Sequence, residues 1–259
     1  MKHSSNVILA ETRGKALWLS LNRPERRNAM NPDMIRELTR ALSGDIGQRH
    51  HLVVLEGKGP DFSSGADLNW MREGLQQPPE LLASESLELA RLFRCIWESP
   101  VPVLTLVQGR ALGGAMGLIA ASDLVLARED ALFGFPEVGL GLVPATIAPY
   151  VRQKTGLGHA LALMLTGRIF GAAEALSLGL VHQTSSAGSW EANAGRLVET
   201  LSSHGREALS GIRTLLRDPR LLGFDDGMDR FTAGEIARFR TSADAQERMT
   251  TFLNAHGKV

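Results

Sequence analysis

One carboxylate and two glycine turns hold most of the chemistry that can be read from this chain. Glu137 lies in the stretch Phe133-Gly134-Phe135-Pro136-Glu137-Val138-Gly139-Leu140, where apolar neighbours surround it. Desolvation there raises a carboxyl's pKa toward that of a working acid or base, although a surface glutamate or an arginine partner fits the same composition. Gly113-Gly114 stands between an apolar strand-like run, Val101 to Val107, and the small apolar residues Ala115 to Ala121. That reads as a strand, a tight turn and the start of a buried helix. A helix start offers backbone N–H groups without intrahelical partners and the positive end of the dipole, so the turn suits a negatively charged oxygen. Two glycines also permit close helix–strand packing and nothing more. Neither the dinucleotide spacing G-x-G-x-x-G nor the P-loop G-K-[ST] is present. A second small-residue turn, Phe62-Ser63-Ser64-Gly65-Ala66-Asp67-Leu68, also follows a strand-like run, His51 to Gly57.

The elements that position these turns follow from periodicity. Asn6 to Glu11 and Ala16 to Leu21 alternate as a β-hairpin around Arg13-Gly14-Lys15. Asn31-Pro32 opens a helix with Met34, Ile35, Leu38 and Leu42 on one face. Glu80 to Trp97 is a long helix, Leu124 to Ala127 a strand, and Ala131 to Pro144 a glycine- and proline-punctuated loop. From Thr155 onward the pattern is helical, over Leu157 to Leu165, Ala172 to Leu178, Gly188 to His204, Glu207 to Arg217, Gly227 to Phe239 and Ala243 to Ala255. The alternation of strands and helices gives way to helices near residue 185, which predicts an α/β core over 1–185 and a helical region over 186–259.

Composition bounds the function. The 259 residues carry 28 basic and 28 acidic side chains, a formal net charge of zero that lacks the footprint of a nucleic-acid binder. A single cysteine, Cys95, excludes an internal disulfide and points to a reducing, cytoplasmic setting. No apolar run reaches membrane-spanning length. His50-His51 is an isolated pair, so no metal cluster is expected. Ser63, Ser64 and Ser122 have no histidine nearby in sequence, against a serine triad.

These stretches resemble the enoyl-CoA hydratase/isomerase (crotonase) superfamily over nearly the full length. Leu21-Asn22-Arg23-Pro24 with Asn28-Ala29, Phe62 to Leu68, Gly109 to Asp123, and Phe133 to Glu137 match the family's motifs in order. The resemblance implies a spiral of β-β-α turns with a C-terminal helical trimerisation region, assembled as a homotrimer or a dimer of trimers. It implies acyl-CoA thioester substrates, with no cofactor beyond the CoA of the substrate, no nucleic acid and no membrane. It makes Ala66 and Gly114 the backbone donors of an oxyanion hole and Glu137 the catalytic acid–base. Arg26, Arg27, Ser64, Gly65, Asp67, Leu68 and Phe239 become CoA contacts; a lysine common near the family's C-terminus is replaced by Ala255.

A finer resemblance, over Gly65 to Met71, Met116-Gly117-Leu118 and Gly141 to Tyr150, is to bacterial methylglutaconyl-CoA and isohexenylglutaconyl-CoA hydratases. Those serve leucine and acyclic terpene breakdown. It implies an acyl pocket of Trp70, Met71, Met116, Gly117, Pro136, Thr146 and Tyr150. Two-carboxylate hydratases of the family carry a second glutamate at the position of Gly117. Here Gly117 is expected to leave room for a branched acyl chain, with the substrate's own carboxylate helping to orient water. A lone glutamate is also the pattern of family isomerases, and a catalytically silent acyl-CoA-binding relative is a third reading.

Overall fold

The computed structural model describes residues 7–256. Six strands form one mixed sheet: β1 (Ile8–Arg13), β2 (Ala16–Leu21), β3 (Leu52–Gly57), β4 (Val103–Val107), β6 (Leu124–Arg128) and β9 (Gln183–Ser185), in the order β1-β2-β3-β4-β6-β9. A three-stranded sheet, ordered β5-β7-β8, consists of β5 (Arg110–Leu112), β7 (Leu132–Gly134) and β8 (Ile169–Gly171). β1 and β2 are the expected antiparallel hairpin, with Gly14 at φ 56° in its turn, and its first strand runs to Arg13. From β2 onward the large sheet is parallel, through Ala16 beside Leu52, Val53 beside Val103, Leu104 beside Leu124 and Leu126 beside Gln183. Every residue of β4 is buried, as a parallel strand covered on both faces requires.

After β4 the chain alternates between the sheets. β4 in the large sheet is followed by β5 in the small one, then by helix; β6 and β7 repeat the step. This is the ββα repeat of a crotonase-like α/β fold. Residues 131–144 are therefore more than a loop, because β7 pairs in parallel with β5, Ala111 beside Phe133.

The helices between are α1 (Pro32–Leu42), α2 (Ile46–Arg49), α3 (Leu68–Gly74), α4 (Pro79–Trp97), α5 (Gly114–Ala121), α6 (Ala148–Thr166), α7 (Ala172–Ser177) and α8 (Trp190–Ser203). In α1 the Asn31 side chain accepts from the Met34 N–H, Pro32 takes the first turn, and Met34, Ile35, Leu38 and Leu42 are buried. Burial of each such side chain contributes about 1.5–3 kcal/mol. α5 is apolar all round and buried from Ala115 to Ala121, which fits a helix enclosed by protein on every side. Lys154 Nζ donates to the Ile119 carbonyl at its C-terminal end.

The chain divides into two compact units, up to Val198 and from Glu199. The last strand ends at Ser185 and helices follow it; the division into units falls later, inside α8. The second unit holds α9 (Arg206–Leu216), α10 (Asp226–Arg240) and α11 (Ala243–His256). There Phe239 packs against Gly211, where an added Cβ would lie 2.0 Å from the ring, and Arg238 covers its face at 4.2 Å. Among the described residues no helix is long and apolar enough to cross a membrane.

Candidate active site

Four segments of the first unit run side by side at one place. Met30 N–H donates to Gly65 O at 2.7 Å and Asp67 N–H to Met30 O at 2.9 Å, a parallel bridge between Met30 and Ala66. Ser63 N–H donates to Arg110 O and Leu112 N–H to Ser63 O, which lays residues 63–66 along β5. Gly113 N–H donates to Gly134 O at 3.0 Å, tying the glycine turn to the end of β7 just before Glu137.

This pairing leaves two amides unused. The bridge to Met30 takes Gly65 O and Asp67 N–H, and successive residues of extended chain face opposite sides, so the Ala66 N–H points away from Met30. It meets no acceptor among the described residues. Gly114 is the first residue of α5, where no intrahelical acceptor exists for its N–H. The two turns touch. A Cβ added at Gly65 would lie 2.7 Å from Leu112 O and 3.7 Å from Gly113 Cα; one at Gly113 would lie 4.0 Å from Gly65 Cα. Both residues have positive φ, 92° and 55°, a conformation that favours glycine.

Glu137 faces the same turn. Its Oε1 lies 3.3 Å from where a Cβ on Gly113 would be, and its Oε2 is buried without a hydrogen-bond partner among the described residues. Pro136 opens the short 3-10 turn Pro136–Leu140 that carries it, Gly141 closes it at φ 71°, and Leu142 N–H donates to the Glu137 carbonyl at 3.0 Å. Burial pushes the carboxyl pKa above its ordinary value, partly opposed by Glu137's own backbone N–H. A carboxylate oxygen left buried and unpaired costs free energy, which marks this group as kept for something other than stability.

Beside Ala66 lies a groove of about 460 Å³ that brings together Arg26, Arg27, Ser64, Ala66, Asp67 and Leu68 of the sequence reading, with Arg72 added from α3. Asp67 has a structural task there. It pairs with Arg23 at 2.8 Å and caps α3 by accepting from Asn69 N–H. Burial alone would raise its pKa, but the hydrogen bonds from Arg23 and the backbone outweigh burial and hold it below the ordinary value. Arg27 sits 3.9 Å from Asp61. Phe239 belongs to the second unit, against Gly211.

The expected acyl residues are only partly gathered. Trp70 donates from Nε1 to Glu85 at 2.9 Å, and Trp70 and Met71 are half-buried on α3. Met116 is fully buried in α5. Thr146 sits in the turn before α6, between Ala145 and Ala148, which line an apolar cleft of about 530 Å³ while Thr146 does not. Tyr150 turns toward Phe93 (centroids 6.2 Å apart) and Trp97 (5.8 Å); burial, with Glu98 adding to it, raises its pKa.

The expectation that Gly117 leaves room is corrected. An added Cβ there would lie 2.4 Å from Phe93 Cζ and 2.5 Å from Ile147 Cγ2, so side chains from α4 and the turn before α6 already fill that space. Gly117→Ala should accordingly lose about 1–3 kcal/mol of stability by overpacking, read as a lower denaturation midpoint at unchanged m value.

Sequence alone assigns no site role to Arg72, Phe93 or Ile147, names Arg23 and Asn28 only as parts of a motif, and weighs Ser63 only as a nucleophile. Asn28 is fully buried, with its side chain donating to Lys58 O and Asp61 O and accepting from Arg23 N–H. The available signal was an asparagine in a polar turn, the residue type that tolerates its left-handed φ of 52°.

Comparison with known proteins agrees with this geometry. A relative from Thermus thermophilus, provisionally named an enoyl-CoA hydratase, is 35% identical over 244 residues, 93% of this chain and 95% of its own. The crystal structure of an enoyl-CoA hydratase from Shewanella pealeana superposes with a TM-score of 0.89 at 34% identity, covering 96% of this chain and 94% of that one. A peroxisomal Delta(3,5)-Delta(2,4)-dienoyl-CoA isomerase of Arabidopsis thaliana is 28% identical over 236 residues, 86% of this chain and 84% of its own. The family model for enoyl-CoA hydratase/isomerase matches residues 11–249, and with the paired turns and the half-buried glutamate in place, the chain belongs to the enoyl-CoA hydratase/isomerase family.

Proposed function

We propose that this protein adds water across the double bond of a branched or carboxylated enoyl-CoA, of the methylglutaconyl-CoA or isohexenylglutaconyl-CoA type. The observation that carries the chemistry is Glu137 beside the Gly113–Gly114 turn, its Oε2 buried with no hydrogen-bond partner among the described residues. In this reading Ala66 and Gly114 N–H donate to the thioester oxygen. Glu137 takes a proton from water as the water oxygen bonds to the β-carbon. The double-bond pair shifts to form the α-carbon–carbonyl-carbon bond and charge collects on the thioester oxygen. When the carbonyl re-forms, Glu137 returns the proton to the α-carbon and regains its charge. Two fixed donors favour the charged state over the substrate and so lower the barrier. With one protein carboxylate at hand, the carboxylate of the substrate supplies the second group that orients water.

The groove beside Ala66 suits the phosphates of CoA. Arg26→Ala and Arg27→Ala should each raise KM for an acyl-CoA by about fivefold, equivalent to about 1 kcal/mol at an exposed ion pair, with kcat little changed. Steady-state kinetics at low and high salt checks this.

Isomerisation is the second reading, and the filled space at Gly117 favours it. Phe93 and Ile147 leave an apolar floor where a second carboxylate would hold water, and Glu137 alone suffices to move one proton along an acyl chain. A panel of acyl-CoA thioesters scored by mass separates the two. A product heavier by one water supports hydration. Unchanged mass with a moved double bond replaces it by isomerisation, and binding without turnover of any member removes both.

A further inference from the structure

We infer that Ser63 is a positioning residue of this reaction, holding the Ala66 amide in line with the thioester oxygen; the inference rests on the proposed oxyanion role of that amide. The reason lies in the peptide unit. Ala66 N–H and Gly65 C=O belong to one plane and point in opposite directions, so whatever orients that plane aims the amide. Gly65 has no Cβ and a φ of 92°, so side-chain sterics do not fix the plane. Hydrogen bonds do. On one side Met30 N–H holds Gly65 O at 2.7 Å. On the other, Gly65 N–H donates to Ser63 Oγ at 3.2 Å, which anchors the preceding peptide plane, so the two planes joined at Gly65 are held from both ends.

The Ser63 hydroxyl is itself locked. It is fully buried and donates to the Asn28 carbonyl at 2.8 Å. Asn28 in turn is tied on three sides, to Lys58 O at 2.8 Å, Asp61 O at 2.9 Å and Arg23 N–H at 2.8 Å. One hydroxyl therefore connects the main-chain carbonyl of Asn28, whose side chain is itself held by three hydrogen bonds, to the N–H of the glycine that precedes the Ala66 amide. Ser63 touches no reacting atom; it acts through Gly65.

Removing the hydroxyl leaves Gly65 N–H and Asn28 O unpaired and frees the plane to rock. Geometry errors of this kind act on the charged transition state more than on the bound substrate. Ser63→Ala is expected to lower kcat on an enoyl-CoA by about tenfold with KM within about twofold. The diagnostic readout is the carbonyl stretch of bound butyryl-CoA, carbon-13-labelled at the thioester carbon, by isotope-edited infrared difference spectroscopy. Butyryl-CoA has no double bond to react, and a donor on its carbonyl lowers the stretch. The wild type should show a lowered frequency on binding, and Ser63→Ala should lose at least half of that lowering. Equal lowering in both proteins overturns the role of Ser63 and leaves the oxyanion reading standing. No lowering in the wild type overturns the oxyanion reading itself. Should Ser63→Ala fail to fold by thermal melting, Ser63→Cys keeps the volume with a weaker donor and acceptor; a shift smaller than wild type supports the inference, and one equal to wild type overturns it.

Discussion

Glu137→Gln is expected to lower kcat on enoyl-CoA thioesters by about 10²- to 10⁴-fold, the usual contribution of a positioned acid–base group, with KM changed far less. The amide has nearly the same shape, so packing against Phe135, Pro136 and the Gly113 turn is kept while proton transfer is lost. The pH dependence carries its own sign. A base must be deprotonated, and burial raises this carboxyl above its ordinary value. The wild-type kcat/KM should therefore fall as pH drops through the raised pKa, above the range of an exposed glutamate, and the Gln variant should lack that limb. Stability should move the other way. A carboxyl whose folded pKa is raised binds its proton more tightly in the folded state, so its contribution to stability falls as pH rises from the unfolded to the folded pKa. Glu137→Gln should then denature at a higher midpoint than wild type at pH 7, with the gap closing below about pH 4 as the unfolded-state carboxyl protonates too. An active variant of ordinary kcat would remove Glu137 from the chemistry.

Gly114→Pro is expected to lower kcat by about 10²- to 10³-fold relative to Gly114→Ala, the typical loss of one oxyanion donor. The comparison with alanine matters, because any Cβ at this position would lie 2.4 Å from Met30 Cε. That atom is the end of a flexible side chain, and both variants displace it alike. Proline is tolerated at the first position of a helix, and Gly113, at φ 55° and ψ −125°, is outside the helical region that a following proline disfavours. The two variants thus share a backbone and the Cβ clash, while proline replaces the N–H with its ring Cδ, so the donor is lost and a methylene stands in its place. Steady-state kinetics with matched thermal melts gives the answer, and equal rates would show that the Gly114 amide carries no charge in the transition state.

Both substitutions target features that local sequence made legible. A glycine pair before a run of small apolar residues has few conformations other than a turn into a buried helix, because backbone sterics act over a few residues. The same holds for Asn31-Pro32 opening α1 and for the hairpin at Gly14. Apolar periodicity located β3, β4, α1 and α4, since a side chain's face follows from its spacing alone. Glu137 stood out because a charge among five apolar neighbours has to be buried or wasted.

The short strands β5, β7 and β8 were not legible. Each has three residues, too few for a period, and they exist through pairing with segments distant in the chain. The groove's Arg72 was missed for a related reason, since α3 begins only where Asp67 is positioned to cap it.

By itself the sequence determined the family resemblance, the identity of the single central carboxylate and the two glycine turns, all of them properties of neighbouring residues. Tertiary structure alone decided what surrounds them: that the Ser63 hydroxyl bridges the Asn28 carbonyl and the Gly65 N–H, and that Phe93 and Ile147 occupy the space behind Gly117. A glycine states that no side chain is present; only the packing of other elements states whether the volume it leaves is open or filled.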